Sequence, residues 1–382
     1  MLKIVKMTVY LVLGGIVLLI LIGLIWLKTS PEFGGSHQHA DVERFKQSNQ
    51  YKDGIFVNST ETVMDISFWE SVKLAKEFFN TSNNRQPDFE IPVSKVDSLT
   101  IADKTSETQL IWFGHSAFLL QIEGKNILLD PMFGDVPAPH PWLGKNRYGA
   151  LPIEVEQLPD IDAIILSHDH YDHLDYGSIQ KLKDKTKQFF VPLGVGTHLR
   201  SWNIAASKIK ELDWWDDTSF EGLDLIFAPA RHFSGRGLTD RAKTLWGSWI
   251  IRSQADTLYF SGDSGYGPHF KEIGEKYGPF DFAMIECGQY NEKWNAIHMM
   301  PEESAQAGID LSAKKIMPIH WGAFTLALHS WTDPVERIQA KAQELKLPLV
   351  LPKIGEIVRI NDSIRDNEEW WVNNLKTISR FN

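Results

Sequence analysis

Ser167-His168-Asp169-His170-Tyr171-Asp172-His173-Leu174-Asp175 decides how this chain is read. It follows Ile161-Asp162-Ala163-Ile164-Ile165-Leu166, an apolar and β-branched run that predicts a buried strand. Side chains of an extended segment alternate, so His168 and His170 point the same way as the strand ends. Asp172 and His173 lie just beyond, where a turn or first helical turn swings them toward the same point. Imidazoles and a carboxylate that converge in this way make a site for zinc or a similar divalent ion. The plain alternative is a polar loop with histidines on a solvated face, and further ligands elsewhere in the chain would decide between the two.

Three later strand ends supply them. Asp224 to Ala230 runs into Arg231-His232, Thr257 to Phe260 into Ser261-Gly262-Asp263, and Lys315 to Ile319 into His320. Each apolar strand ends in a residue able to ligate a metal, at the kind of sheet edge where a scaffold presents chemistry. The candidates are therefore His168, His170, Asp172, His173, His232, Asp263 and His320. Seven exceed what one tetrahedral ion takes and suit two ions that share a carboxylate. Gly262 and Gly265 give Asp263 the close backbone that a bridging position needs.

The rest of the chain sets bounds. With 382 residues and 43% hydrophobic content it holds one large catalytic domain with extensions or two modest ones. A net charge of −10 and the lack of a long basic run argue against a nucleic-acid partner. Cys287 is the only cysteine, which excludes an intramolecular disulfide framework and a Cys-rich zinc module. Met7 to Leu27 is 21 positions without a charge, about 31 Å as a helix and enough to cross a bilayer core. We read it as an uncleaved single-pass anchor. The alternative is a signal peptide, but no small-x-small cleavage site follows Trp26. Lys3 and Lys6 favour a cytoplasmic N-terminus with the body extracytoplasmic, and Lys28 pulls against that orientation.

The expected organisation is an anchor over residues 1–28, a linker with a short covering helix over 29–105, a catalytic domain over 106–361 and a tail over 362–382. Thr29 to about Asn58 is rich in Gly, Ser, His and Gln and reads as a spacer, with His37 and His39 solvated. Asp65 to Phe79, with Ile66, Trp69, Val72, Lys73 and Lys76, has the spacing of one amphipathic helix. From Gln109 onward the pattern predicts short strands, first in antiparallel runs and then alternating with helices, including a helix from Gly177 to Lys187 and one from Pro301 to Leu311. That order points to an α/β sandwich of two sheets with helices outside.

These residues and their order resemble the metallo-β-lactamase superfamily, and within it the branch of N-acyl-phosphatidylethanolamine-hydrolysing phospholipase D. The resemblance rests on Trp112-Phe113-Gly114-His115, Leu129-Asp130-Pro131-Met132-Phe133, the histidine cluster, Glu211 to Trp215, Leu245 to Trp249, Ser261 to Tyr266, and Ile319-His320-Trp321-Gly322. It implies a four-layer αβ/βα sandwich with the metal site at one edge. It also implies one zinc on His168, His170 and His232, a second on Asp172, His173 and His320, and Asp263 between them. Implied too are a phospholipid or other phosphodiester substrate and a membrane setting. Two zinc ions hold a hydroxide at neutral pH, so no serine or cysteine nucleophile is needed. In that scheme Asp172 and His298 serve catalysis, His298 and Tyr290 bind substrate, and His115 and Asp130 orient ligands from behind. Competing readings are a hydrolase of the same fold acting on another ester, lactone or soluble phosphodiester, and a tethered metal-binding protein without turnover. The branch has an apolar residue and then Gly-Ala-Tyr where this chain has Cys287-Gly288-Gln289-Tyr290, beside the expected pocket.

Overall fold

Strands with no polar face have to be covered on both sides. In the computed structural model, which describes residues 2–63, 67–78, 84–102, 107–363 and 368–372, two stacked sheets meet that need. One sheet has the order Ile357–Arg359, Gln109–Trp112, Phe118–Ile122, Lys125–Leu129, Ile161–Ile165, Thr186–Pro192, Ile209–Leu212. Its first four strands are antiparallel, and the pairs from Lys125–Leu129 onward are parallel. The other sheet has the order Ile316–Ile319, Phe282–Glu286, Thr257–Phe260, Ser248–Arg252, Leu223–Ala228, Asp217–Phe220, parallel at one end and antiparallel at the other.

The two-residue period of a strand sorts side chains between layers. Leu110 and Trp112 join Phe227, Trp249 and Phe260 in the core between the sheets. Ile111 and Phe113 face the other way and pack with Ile179, Leu182 and Leu199. Those last three belong to the helices Tyr176–Leu182 and Gly196–Ser201, which cover the first sheet from outside. Helices His269–Tyr277, Pro301–Asp310 and Asp333–Leu345 cover the second, through Phe270, Ile273, Ala305, Ala307, Val335 and Ile338. This is the metallo-β-lactamase α/β sandwich.

Several expectations shift. The helix expected over Gly177 to Lys187 ends at Leu182, because Thr186 already pairs with Ile161 in the parallel ladder and residues 183–185 must turn. The amphipathic helix is Phe68–Phe78; Asp65, Ile66 and Phe79 lie outside the described residues. Its Trp69 is 77% exposed, and Glu70 pairs with Lys293 at 2.8 Å.

The segment read as a solvated spacer is instead packed. Phe45 and Phe56 are fully buried in the inter-sheet core. Pro31 and Glu32 carbonyls accept from Trp202 Nε1 (2.7 Å) and Arg236 Nε (2.8 Å), and the Gly35 amide donates to His198 Nδ1 (3.1 Å). His37 packs edge-on against Phe45 at 5.0 Å, while His39 stays in solvent. Gly34-Gly35 gives the segment a linker's composition, but those glycines serve close approach: a Cβ on Gly34 would lie 2.1 Å from His198 Nδ1. The strap so formed follows an apolar helix, Leu2–Thr29, which is exposed from Lys3 to Ile22 and long enough to cross a membrane.

Candidate metal centre

Every expected ligand sits where a strand runs out. Ile161–Ile165 delivers His168 and His170, and a single helical turn, with the Leu174 amide on the His170 carbonyl at 2.8 Å, brings Asp172 and His173 round. This loop is clamped from outside. Arg236 Nη1 donates to the carbonyls of Asp169 (2.6 Å) and Leu174 (2.7 Å), at its two ends. The Asp169 carboxylate accepts from Gly235 N, Thr244 Oγ1 and His198 Nε2. The second sheet supplies the rest: His232 after Leu223–Ala228, Asp263 after Thr257–Phe260 and His320 after Ile316–Ile319. Gly262, at φ +55°, lets the chain pass so close to Ser167 that a Cβ would lie 2.5 Å from that side chain.

The seven fall into two donor groups. His168, His170, His232 and Asp263 form one; Asp172, His173 and His320 form the other together with His115. Within the first, His170 Nδ1 is 2.9 Å from His168 Nε2 and 3.2 Å from His232 Nε2, and Asp263 Oδ2 is 3.8 and 3.7 Å from the latter two. Within the second, Asp172 Oδ2 is 3.5 Å from His173 Nε2 and 3.1 Å from His320 Nε2. Asp263 faces this group as well, Oδ1 at 3.1 Å from His173 Nε2 and Oδ2 at 3.2 Å from His320 Nε2.

The profile of the β-lactamase superfamily domain matches residues 125–321 of this sequence. The chain belongs to the metallo-β-lactamase superfamily. It is 38% identical over 331 residues to an uncharacterized protein of Mycobacterium tuberculosis, covering 85% of this chain and 88% of that one. It is 32% identical over 286 residues to N-acyl-phosphatidylethanolamine-hydrolyzing phospholipase D 1 of Caenorhabditis elegans, covering 70% and 80%. Among solved structures, the metallo hydrolase Igni18 of Ignicoccus hospitalis superposes with a TM-score of 0.52 at 21% identity, over 66% of this chain and 97% of that one, a likeness of fold. Membership and relatives together make this superfamily member a metal-dependent hydrolase.

The donor spacing fits a metal pair. Bonds of about 2.0–2.1 Å at tetrahedral angles put neighbouring ligand atoms about 3.3–3.4 Å apart. The distances in each group bracket that value. His173 Nε2 and Asp263 Oδ1, although 3.1 Å apart and buried, make no hydrogen bond among the described residues. Buried this close without bonding one another, both atoms are left open to shared coordination.

Electrostatics separate the two groups. Burial drives His168 and His232 well below the usual imidazole range and lowers His170 too, so all three are neutral and ready to ligate. Burial also acts against a charged His320, but Asp263, Asp172 and Glu286 override it and carry this imidazole up to about 10. His173 is likewise raised well above its ordinary value against the cost of burial, by Asp263, Asp172 and Asp130. Without a cation, the second group keeps protons in its place.

Behind the donors lies a layer of orienting groups. Asp130 Oδ2 accepts from His173 Nδ1 (2.7 Å) and from Ser167 Oγ (2.5 Å), and Ser167 Oγ in turn is 2.9 Å from His168 Nδ1. One buried carboxylate thus fixes an imidazole in each group. His115 Nε2 lies 2.8 Å from Asp172 Oδ2, and burial depresses its imidazole to about 3. The cleft above the donors, about 270 Å³, is lined by His170, Asp172, Asp263, His320, His298 and Gln289, with Phe233, Trp294, Ile297 and Leu326 as its apolar walls.

Tyr290, expected to orient substrate, does not reach this cleft. Its hydroxyl donates to Asp333 and its ring stacks on His329 at 4.2 Å. Gln289, at φ +60°, turns the chain so that Gln289 faces the cleft and Tyr290 the helix Asp333–Leu345. Gln289 spans the wall loop, donating to the Phe324 carbonyl (3.0 Å) and accepting from the Leu326 amide (2.8 Å). Glu286 escaped the sequence reading altogether. Fully buried, it holds His298 Nδ1 at 2.9 Å and stands 3.4 Å from His320 Nδ1. The signal was available, since Phe282–Glu286 is another apolar strand that ends in a carboxylate. The two conceivable protein nucleophiles are spoken for: burial pushes the Cys287 thiol well up, and Ser264 Oγ accepts from the Arg231 amide.

Proposed function

We propose that this protein is a di-zinc phosphodiesterase of the phospholipase D type that cleaves N-acyl phosphatidylethanolamine-like lipids at a membrane. The observation that carries the reading is the meeting of two donor groups at Asp263, on the floor of a cleft with apolar walls. The similarity to the Caenorhabditis elegans enzyme supports the substrate class. In this reading His168, His170 and His232 hold one ion, Asp172, His173 and His320 the other, and Asp263 both. Zinc bound there supplies a Lewis acid for the phosphoryl oxygen and a nucleophile at neutral pH.

The chain's residues do the remainder. Asp130 and Ser167 hold His173 and His168 in the tautomers that leave their Nε2 lone pairs free. Glu286 engages Nδ1 of His298, leaving Nε2 for the cleft, where it binds a phosphate oxygen or passes a proton to the departing alcohol oxygen. Phe233, Trp294, Ile297 and Leu326 keep water away and receive acyl chain. The helix Leu2–Thr29 anchors residues 30–382 beside the bilayer, on its extracytoplasmic side by the charges of Lys3 and Lys6.

The test uses full-length protein with vesicles containing N-acyl phosphatidylethanolamine and, separately, a soluble aryl phosphodiester, with products read by mass spectrometry. Cleavage of the lipid, its loss on chelation or in His170→Ala, and its return with zinc in the native chain are expected. Cleavage of the soluble diester with no lipid cleaved removes the lipid substrate. Full activity of metal-stripped His170→Ala removes the metal mechanism.

A further inference from the structure

Val136-Pro137-Ala138-Pro139-His140-Pro141-Trp142-Leu143-Gly144-Lys145 has no part in the metal centre. It leaves the first sheet after Phe133 and returns through Arg147, whose guanidinium donates to the carbonyls of Phe113 (3.0 Å) and Met132 (2.5 Å) and lies over the Phe324 ring. Its base is therefore fixed to the wall of the cleft. Prolines at every second position stiffen the excursion, because each locks its own φ and restricts the residue before it. The tip is the short turn Pro141–Leu143, and it presents large apolar groups to the outside: Trp142 is 70% exposed and Leu143 46%. A soluble surface has no use for a tryptophan held out by a rigid arm.

What this tip stands against identifies its partner. The Trp142 ring stacks on Trp26 of the apolar helix, with centroids 6.3 Å apart and planes at 28°, and His140 lies 6.5 Å from the same ring. Trp26 is the penultimate residue of the uncharged stretch, followed by Leu27 and Lys28, which is where a spanning helix meets the headgroups. The headgroup layer is roughly 5–8 Å deep on each side of a bilayer. A ring stacked 6.3 Å from Trp26 is close enough to share that layer. Lys145, exposed two residues beyond Leu143, provides a cation for lipid phosphates at the same tip, as Lys28 does on the helix.

We infer that the turn Pro141–Leu143 is a second membrane contact, which inserts Trp142 and Leu143 into the lipid interface beside the anchor. The inference rests on the reading of Leu2–Thr29 as a membrane span. One point of attachment leaves a body free to swivel about its helix; two fix its tilt. The second point is joined through Arg147 and Phe324 to the cleft wall, so the tilt it fixes is that of the cleft mouth.

The test uses the full chain in lipid vesicles, with a nitroxide label on one introduced cysteine at a time: Leu143→Cys, Ile25→Cys on the helix, and Glu344→Cys on the helix that covers the far sheet. Buried Cys287 does not compete for the label. Collision of each label with oxygen, which concentrates in lipid, is compared with collision with a water-soluble nickel complex. We expect oxygen to dominate at Leu143 as at Ile25, and the nickel complex at Glu344. Nickel dominance at Leu143 with oxygen dominance at Ile25 overturns the inference and leaves the anchor intact. Low collision with both reagents at Leu143 also overturns it, in favour of contact with a second copy of the chain. Nickel dominance at Ile25 removes the anchor, and the inference with it.

Discussion

Asp130→Asn is the substitution that reaches furthest into the metal centre without touching a ligand. The native carboxylate takes three hydrogen bonds: Ser167 N on Oδ1 at 2.7 Å, and Ser167 Oγ and His173 Nδ1 on Oδ2. Asparagine fills the same volume and keeps the bond from Ser167 N. Its amide nitrogen then faces His173 Nδ1, donor against donor. The imidazole relieves the conflict by giving up its Nδ1 proton and keeping the one on Nε2, the nitrogen that faces Asp172 and Asp263, so the tautomer able to ligate is disfavoured. A hydrogen bond to a charged group is worth about 1.5–3 kcal/mol, and at about 1.4 kcal/mol per tenfold the expected loss of zinc affinity is about 10–100-fold. The loss should be one-sided. Ser167 Oγ can accept from the new amide and still accept from His168 Nδ1, so the group of His168, His170 and His232 keeps its geometry. Competition titration against a zinc chelator, resolving two binding steps, measures both. Equal weakening of both steps, or of neither, would show that Asp130 does not set the His173 tautomer.

Glu286→Gln turns an amide toward Nδ1 of His298 in the same manner; we expect kcat to fall by about 10–100-fold with KM little changed, and an unchanged kcat removes Glu286 from this role. Gly34→Ala, with a Cβ driven into His198 at φ +76°, should cost about 1–3 kcal/mol, read as a lower denaturation midpoint; an unmoved midpoint contradicts the packed strap. Burial, with Arg231 second, depresses His269 to about 3. Its stabilising contribution is complete above the unfolded value near 6.5 and is lost as pH falls toward 3, because the unfolded chain takes up the proton first. His269→Gln should therefore narrow its stability deficit by roughly 3 kcal/mol between pH 6.5 and pH 4, measured in excess chelator; a constant deficit refutes the neutral burial.

The site was legible to the extent that its chemistry is local. His168 to His173 announce themselves by spacing, and His232, Asp263 and His320 by closing apolar strands. Glu286 closes one too and carries the same signal, but it reaches the donors only through His298 and His320, so its role shows only in the fold. Tyr290 is named by resemblance, which carries no backbone direction; the positive φ of Gln289 turns it toward Asp333 and out of the cleft. The strap misled through composition: Gly34 and Gly35 look flexible and are in fact the only residues thin enough for the space. The Phe282–Glu286 strand, second from the edge of its sheet and buried on both faces, offers no alternation from which to read a register.

The division of donors between the two sheets has a bearing on how the chain matures. His168 to His173 hang from one sheet and His232, Asp263 and His320 from the other, so neither half owns a complete site. A metal pair held there is a rivet through two plates, and it can be set only after both plates have formed and docked. Zinc uptake would then record completed assembly, and a chain stalled with one sheet unformed would carry histidines but no tight site. For the same reason, on the proposed two-metal reading, stripping the metal would loosen the seam between the halves before either half.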